Sequence, residues 1–262
     1  MDAMKIIVCV KQVPDAKDVR LDPKTNTLAR EGVQSIMNPY DQHAVEEAVR
    51  LKEQLGGEVT VLSMGPPQAE EVIRQAIACG ADQGVLVSDR AFAGADTWAT
   101  SYTLARAIQT IGSFDLILCG KQAIDGDTAQ VGPGLAMRLE IPFVTCVQKI
   151  RQATETGLVL ERMMDDGYDV LSVNYPALLT VVKDINEPRV PSLKGKMRAK
   201  KVEIKRLTAA DIGADPACIG LAGSPTQVVK VFPPEARGGR TVFCGSLDEQ
   251  ISQLVDSLKP YL

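Results

Sequence analysis

Apolar positions along this chain gather into short continuous runs, and amphipathic stretches separate them. Lys5–Val10, Val59–Met64, Gly84–Val87 and Leu116–Cys119 are near-continuously apolar and rich in β-branched residues. Such runs predict strands covered on both faces. Between them, Ala44, Val45, Ala48, Val49 and Leu51 recur at helical spacing within Ala44–Leu55. Ala69–Ala78 reads as a second helix behind Gly65-Pro-Pro67, since proline is at home in a first helical turn. A third helix runs to Ile111, capped by Asp96 or Thr97. Val19–Val33 alternates around Asp22-Pro-Lys-Thr-Asn26 and predicts a hairpin. The rhythm predicts an α/β fold with a mostly parallel, doubly wound, Rossmann-like sheet.

After Pro142 the rhythm changes. Phe143–Ile150, Leu158–Met163, Val170–Val173 and Ala177–Val182 are β-like with no helices between them. They predict added strands, some antiparallel. Asn186-Glu-Pro-Arg-Val-Pro191 cannot continue a core strand. Near the end, Ile251, Leu254 and Leu258 share helical spacing within Leu247–Leu258. The expected division is a nucleotide-binding domain over Met1–Lys183 and an arm with a docking helix over Asp184–Leu262.

The chemistry concentrates between the fourth strand and the next helix, at Leu135–Leu139. There the chain reads Gly120-Lys-Gln-Ala-Ile-Asp-Gly-Asp-Thr-Ala-Gln-Val-Gly-Pro-Gly-Leu-Ala136. A glycine-rich polar turn running into a helix start presents unpaired N–H groups to an anion. Gln122 replaces the hydroxyl residue of a Walker loop, and the glycines lie too late in the domain for a Rossmann fingerprint. Plain turn chemistry explains such a loop as well. Its length and its polar side chains Gln122, Asp125, Asp127, Thr128 and Gln130 exceed what a minimal turn needs.

Composition narrows the partners. With 262 residues, 45% hydrophobic and 24% charged, the chain can bury a sizeable core. Its net charge of −4 and scarcity of aromatics argue against nucleic acid. No apolar run approaches the roughly 20 residues that cross a bilayer, and no signal sequence is recognisable, so a cytoplasmic protein is expected. The six cysteines include no C-x-x-C pair and read as reduced thiols. The single histidine, His43, reads as a surface or packing residue, and Asp125 with Asp127 makes a poor metal site. Against the acidic whole, Lys194, Lys196, Arg198, Lys200, Lys201, Lys205 and Arg206 form a cationic cluster beside Leu193. It reads either as a solvated surface or as a patch for an acidic protein partner.

Taken together, Cys9-Val-Lys-Gln-Val13, Ser35-Ile-Met-Asn-Pro-Tyr-Asp41, Ala44–Lys52, Met64-Gly-Pro-Pro67, Gly80-Ala-Asp82 and the Gly120–Ala136 run resemble the β subunit of electron transfer flavoprotein. The resemblance spans essentially the whole chain, Asn186-Glu-Pro-Arg189 included. It implies a heterodimer with an FAD-carrying α subunit, and a β-subunit site for FAD or, alternatively, AMP. The nucleotide residues it implies are Cys9, Asn38, Pro39, Tyr40, Asp41, Met64, Asp125, Gly126, Asp127, Thr128, Ala129, Gln130, Val131, Gly132, Pro133, Gly134, Leu135 and Ala136. For docking a flavin dehydrogenase, acting on acyl-CoA or 2-hydroxy acids, it implies Leu193, Lys194, Lys196, Met197, Arg198, Lys200 and Lys201. Val13-Pro-Asp15 and Asp125–Pro133 look like the electron-bifurcating branch of anaerobes. There NADH is the donor, and electrons divide between ferredoxin and the α-subunit flavin. The flavin carries the redox chemistry, so no proton-transfer residue is expected from this chain, nor enzymatic activity on its own.

Overall fold

The computed structural model describes residues 3–15, 20–21, 28–29, 35–229, 238–239 and 241–261. In chain order its strands and helices are β1 (Lys5–Cys9), β2 (Gln12–Pro14), β3 (Arg20–Leu21), β4 (Leu28–Ala29), β5 (Ser35–Met37), α1 (Pro39–Leu55), β6 (Glu58–Met64), α2 (Glu70–Cys79), β7 (Gln83–Val87) and α3 (Thr97–Ile111). There follow β8 (Leu116–Gly120), α4 (Val131–Leu139), β9 (Phe143–Ala153), β10 (Gly157–Met163), β11 (Tyr168–Asn174), β12 (Ala177–Val181), α5 (Leu193–Lys201), β13 (Ile204–Leu207) and α6 (Leu247–Leu258).

Nine strands form one sheet in the order β11-β10-β9-β12-β8-β1-β6-β7-β13. From β9 to β13 every pairing is parallel, and β10 and β11 add antiparallel strands. The expected mixed α/β architecture is therefore present. Strand alternation assigns the two faces. Ile6 and Val8 pack with Val45 and Ala48 of α1 and Ile73 and Ile77 of α2. Ile7 and Cys9 pack with Leu104 and Ile108 of α3 and Leu135 and Ala136 of α4. With both faces covered, β8 and, after its exposed Lys5, β1 can be apolar throughout, and each fully buried aliphatic side chain contributes about 1.5–3 kcal/mol.

The hairpin read over Val19–Val33 appears as the β3–β4 pair, while its turn, Asp22–Asn26, lies outside the described residues. The sequence reading expects a boundary after Lys183. The compact unit that holds the sheet continues to Val229. The cationic stretch is not an extended arm: it folds as α5 and then as β13, which pairs parallel with β7. Buried Ala199, Ile204 and Leu207 explain why it joins the body. The second unit comprises Leu21–Leu28 and Lys230–Leu262. Within it, α6 has the bounds expected from its periodicity and starts at a capping box of Ser246 and Glu249. Leu247, Ile251, Leu254, Val255 and Leu258 are exposed on it.

The two rims of the sheet differ. At β13 the rim is four residues long and carries Lys205 and Arg206, the latter paired with Glu70 at 2.6 Å. At β11 it is seven residues long, with Asp169 as its one charge and Tyr168 and Val170 exposed.

Candidate nucleotide cleft

Parallel strands of an open sheet end together, and ligands bind in the crevice outside their carboxyl ends. Here β1 and β8 lie side by side with Cys9 opposite Cys119, and Thr180 of β12 stands opposite Cys119 on the far side. The helices that begin above this edge are α1 and α4.

Asn38, fully buried, ties the edge together. Its backbone N–H donates to the Lys11 carbonyl at 2.9 Å. Its side-chain amide donates to Asp41 Oδ1 at 2.9 Å and to the Gln122 carbonyl at 2.8 Å, and its Oδ1 accepts the Ile124 N–H at 3.1 Å. One carboxamide therefore joins the α1 start to the loop after β8. Pro39 opens α1, where its missing N–H costs nothing. Tyr40 lies beneath Lys183, whose Nζ sits 4.9 Å from the ring centroid.

Asp41 is buried, and its Oδ2 accepts the Lys11 N–H at 2.7 Å. Burial pushes its pKa up to about 7, against the opposing effect of the Asn38 amide and the Lys11 and Gly120 N–H groups. A side chain at Gly120 would overlap Asp41 and Tyr40, so the strand must end in glycine for α1 to seat. The neighbouring Cys9 thiol and burial push the Cys119 thiol well above its ordinary range, which keeps it protonated.

Above this floor the loop is held but not filled in. Lys11 Nζ contacts both Asp125 oxygens at 2.8 Å, and Gln122 donates to Asp127. Asp127 (φ 52°) and Ala129 (φ 54°) both adopt left-handed backbone, a conformation that costs a non-glycine residue free energy and clusters at ligand sites. A Cβ at Gly126 would meet nothing within 4 Å, so the loop faces open space there. Gln130 precedes α4 and leaves its first turn without a side-chain cap, because the Gln130 oxygen accepts from Thr97 Oγ1 at 2.9 Å. Uncapped N–H groups at a helix start favour an anion. Gly132 has a reason beyond approach to a ligand: its Cβ would lie 2.5 Å from Thr180 Cγ2, so α4 needs glycine there to pack on β12. Thr128, Val131, Pro133, Gly134, Leu135 and Ala136 follow through the loop and α4, with Leu135 and Ala136 buried beneath it. Met64 ends β6 at the same edge.

The structure thus brings Cys9, Asn38, Asp41 and the Asp125–Ala136 segment to one edge. It also adds Lys11 and Thr180, which sequence reasoning did not assign, and gives Gly120 and Gln122 of the glycine-rich run definite partners. Lys11 carries a findable signal, a cation just after the first core strand. Thr180 carries none, because its neighbour Gly132 is remote in sequence.

The docking candidates lie elsewhere. Gly195 packs against Ala78 in the last turn of α2, which leads into the amino end of β7. Leu193 and Met197, 75% and 57% exposed, form a ridge at i, i+4 on α5, with Lys194, Lys196, Lys200 and Lys201 around it. The preceding segment is clamped to α1. Arg189 pairs with buried Glu46 at 2.8 Å and with Glu53 at 2.6 Å, and the Asn186 side-chain amide donates to Glu47 at 2.9 Å. His43 belongs to this clamp, its Nδ1 lying 2.9 Å from the Asn186 carbonyl oxygen.

The profile of the electron transfer flavoprotein domain matches residues 25–212. The chain belongs to the electron transfer flavoprotein family. It is 50% identical to the electron transfer flavoprotein subunit beta of Thermoanaerobacterium thermosaccharolyticum, over 97% of this chain and 98% of the relative. Identity is also 50% to the caffeyl-CoA reductase-Etf complex subunit CarD of Acetobacterium woodii, over 98% of both chains. It is 46% to the protein FixA of Bradyrhizobium diazoefficiens, over 97% of this chain and 91% of the relative. Membership of the electron transfer flavoproteins, with β-subunit relatives, implies electron transfer, a flavin or nucleotide ligand and a companion α subunit. Among the described residues, no helix is long and apolar enough to cross a membrane, and no group of three or more His, Cys, Asp or Glu side chains could hold a metal ion.

Proposed function

We propose that this chain is the β subunit of an electron-bifurcating electron transfer flavoprotein, working in the cytoplasm, and that the cleft above β1 and β8 holds FAD. NADH is the donor, and ferredoxin and a flavin dehydrogenase are the acceptors. The observation that carries the reading is the loop from Asp125 to Gln130, open at Gly126 and running into an uncapped α4. Such a cradle fits the phosphates of an adenylate-containing ligand. Asp127 and Thr128 would meet its ribose hydroxyls or phosphate oxygens, over a floor fixed by Asn38 and Asp41. When bound, the flavin supplies one- and two-electron redox chemistry. The chain's residues bind and orient it; Lys11 and Asn38 fix the loop, and the protonated Cys119 thiol adds no charge beneath it. The CarD relative, named for a reductase-Etf complex, supports assembly with an enzyme acting on CoA thioesters.

A second reading is AMP in the same cleft. The uncapped N–H groups at the α4 start serve one phosphate as well as two. Denaturing the purified heterodimer and identifying what it releases decides between them. Two FAD per heterodimer is the expected result; one FAD with one AMP establishes the second reading, and no adenylate beyond the α-subunit flavin removes the cleft from both.

For docking, the ridge of Leu193 and Met197 amid lysines fits an apolar pocket rimmed by carboxylates on the dehydrogenase. Leu193→Ala is expected to slow electron transfer to the dehydrogenase about tenfold or more, the effect of losing ~1.4 kcal/mol or more of docking energy, with flavin content unchanged. An unaltered transfer rate in that variant would take α5 out of the docking surface. The exposed apolar face of α6 completes the assignment as a surface for the companion subunit, since a 12-residue helix gains little stability alone.

A further inference from the structure

Helices end with carbonyl groups that no later turn can satisfy. At the junction of α2 and α5 each helix supplies an arginine to the other's end. Arg198 of α5 donates through Nη2 to the carbonyls of Ile77, at 2.7 Å, and Ala81, at 2.6 Å, where α2 terminates. Arg74 of α2 donates through Nη1 to the carbonyls of Ala199, at 2.5 Å, and Val202, at 3.3 Å, where α5 terminates. Arg74 is itself oriented by Glu70, whose Oε1 accepts from Nε at 3.0 Å and from Nη2 at 2.7 Å. The other Glu70 oxygen accepts from Arg206 of β13, just beyond α5. Gly195 completes the fit: a Cβ there would overlap the Ala78 carbonyl oxygen, so the α5 backbone lies directly on α2.

Beyond these contacts, α5 has the Ser192 cap at its start and a 3.7 Å ion pair from Arg198 to Asp82. Ala199 is its only buried residue, and lysines fill most of its surface. A helix of nine residues is marginal alone. The reciprocal arginine caps and the glycine contact therefore fix its position.

We propose that Arg74, Arg198 and Gly195 are positioning residues for dehydrogenase docking: they lock α5 onto α2, so that the Leu193–Met197 ridge meets its partner already ordered. This rests on the reading of α5 as the docking element. A ridge ordered in advance loses less side-chain and backbone freedom on binding. Loosening the lock should weaken the encounter and leave the redox step unchanged.

The test uses the complete heterodimer and an acyl-CoA dehydrogenase that the wild-type heterodimer reduces. Arg198→Ala removes the cap on α2, and Gly195→Ala pushes α5 away without touching a charge. Both are expected to raise the KM for the heterodimer at least fivefold, with kcat and flavin content unchanged. Arg198→Lys, which keeps the charge but not the forked geometry, should recover only part of the effect. Hydrogen exchange at Lys196–Lys201 should accelerate at least tenfold in both alanine variants, a readout that holds even if Arg198→Ala also lowers overall stability. Leu193→Ala serves as the reference. If it raises KM while Gly195→Ala and Arg198→Ala do not, the lock is refuted and docking through α5 stands. If Leu193→Ala has no effect, the docking reading itself falls, and the lock loses its function with it.

Discussion

Asn38→Ala is expected to cost about 2–4 kcal/mol of stability and, with the cleft as the proposed nucleotide site, to abolish nucleotide retention there. The carboxamide makes three hydrogen bonds from a fully buried position. Truncation leaves the Gln122 carbonyl and the Ile124 N–H without their partner and removes a donor from buried Asp41. Orphaned buried polar groups cost about 1–3 kcal/mol each, well above the net value of a made hydrogen bond. Water entering the gap offsets part of that, which is why the expectation stays below the full sum. The urea midpoint should drop with little change in slope, and the purified heterodimer should lose adenylate from this subunit. A loss below about 1 kcal/mol with full nucleotide content would show that the loop stands without Asn38.

The second large effect is a pH dependence. Asp41 is moved from an ordinary 3.8 to about 7 by burial. In the unfolded chain the proton leaves near pH 4, whereas in the folded protein it stays until near pH 7. The folded state therefore holds the extra proton across that window, and stability falls as pH rises through it. The contribution is fully present below about pH 4, mostly lost by pH 7 and flat above. A shift of three units corresponds to about 4 kcal/mol as an upper bound. Glu47, also buried and raised, adds a slope of the same sign, so the total slope does not isolate Asp41. Asp41→Asn keeps the size and removes the titration. The stability difference between wild type and Asp41→Asn is expected to move in favour of the variant by about 2–3 kcal/mol between pH 5 and pH 8, read by urea unfolding at both values. A difference that stays constant with pH would mean that Asp41 titrates near its ordinary value.

Much of the fold was legible because its signal is local. The runs at Lys5–Val10, Val59–Met64 and Leu116–Cys119 are apolar on both faces, which a central parallel strand requires. The end of α1 at Gly56 and the Asp96 cap of α3, with bonds to Trp98 and Ala99, were equally local. What the sequence concealed depends on remote partners. Nothing in Leu193–Lys201 has a core-facing stripe, since its helix is held by Arg74, about 125 positions earlier. β13 has two buried residues, too few to stand out, and gains strand character by adding to β7. At the cleft, the Ser35–Asp41 motif and the glycine-rich loop were visible separately. That one carboxamide joins them across more than eighty residues was not. The left-handed backbone at Asp127 and Ala129, where glycine is usual, has no sequence marker either.

The contrast between the two rims of the sheet bears on handling the chain alone. A short, lysine- and arginine-bearing strand such as β13 resists accretion, whereas β11 is a seven-residue edge strand with no further strand paired to it among the described residues, and with Tyr168 and Val170 exposed on it. Two copies pairing through β11 would leave only their β13 rims outermost, so this edge favours a closed pair of chains over an open fibre. A lysine placed along that strand is the practical remedy.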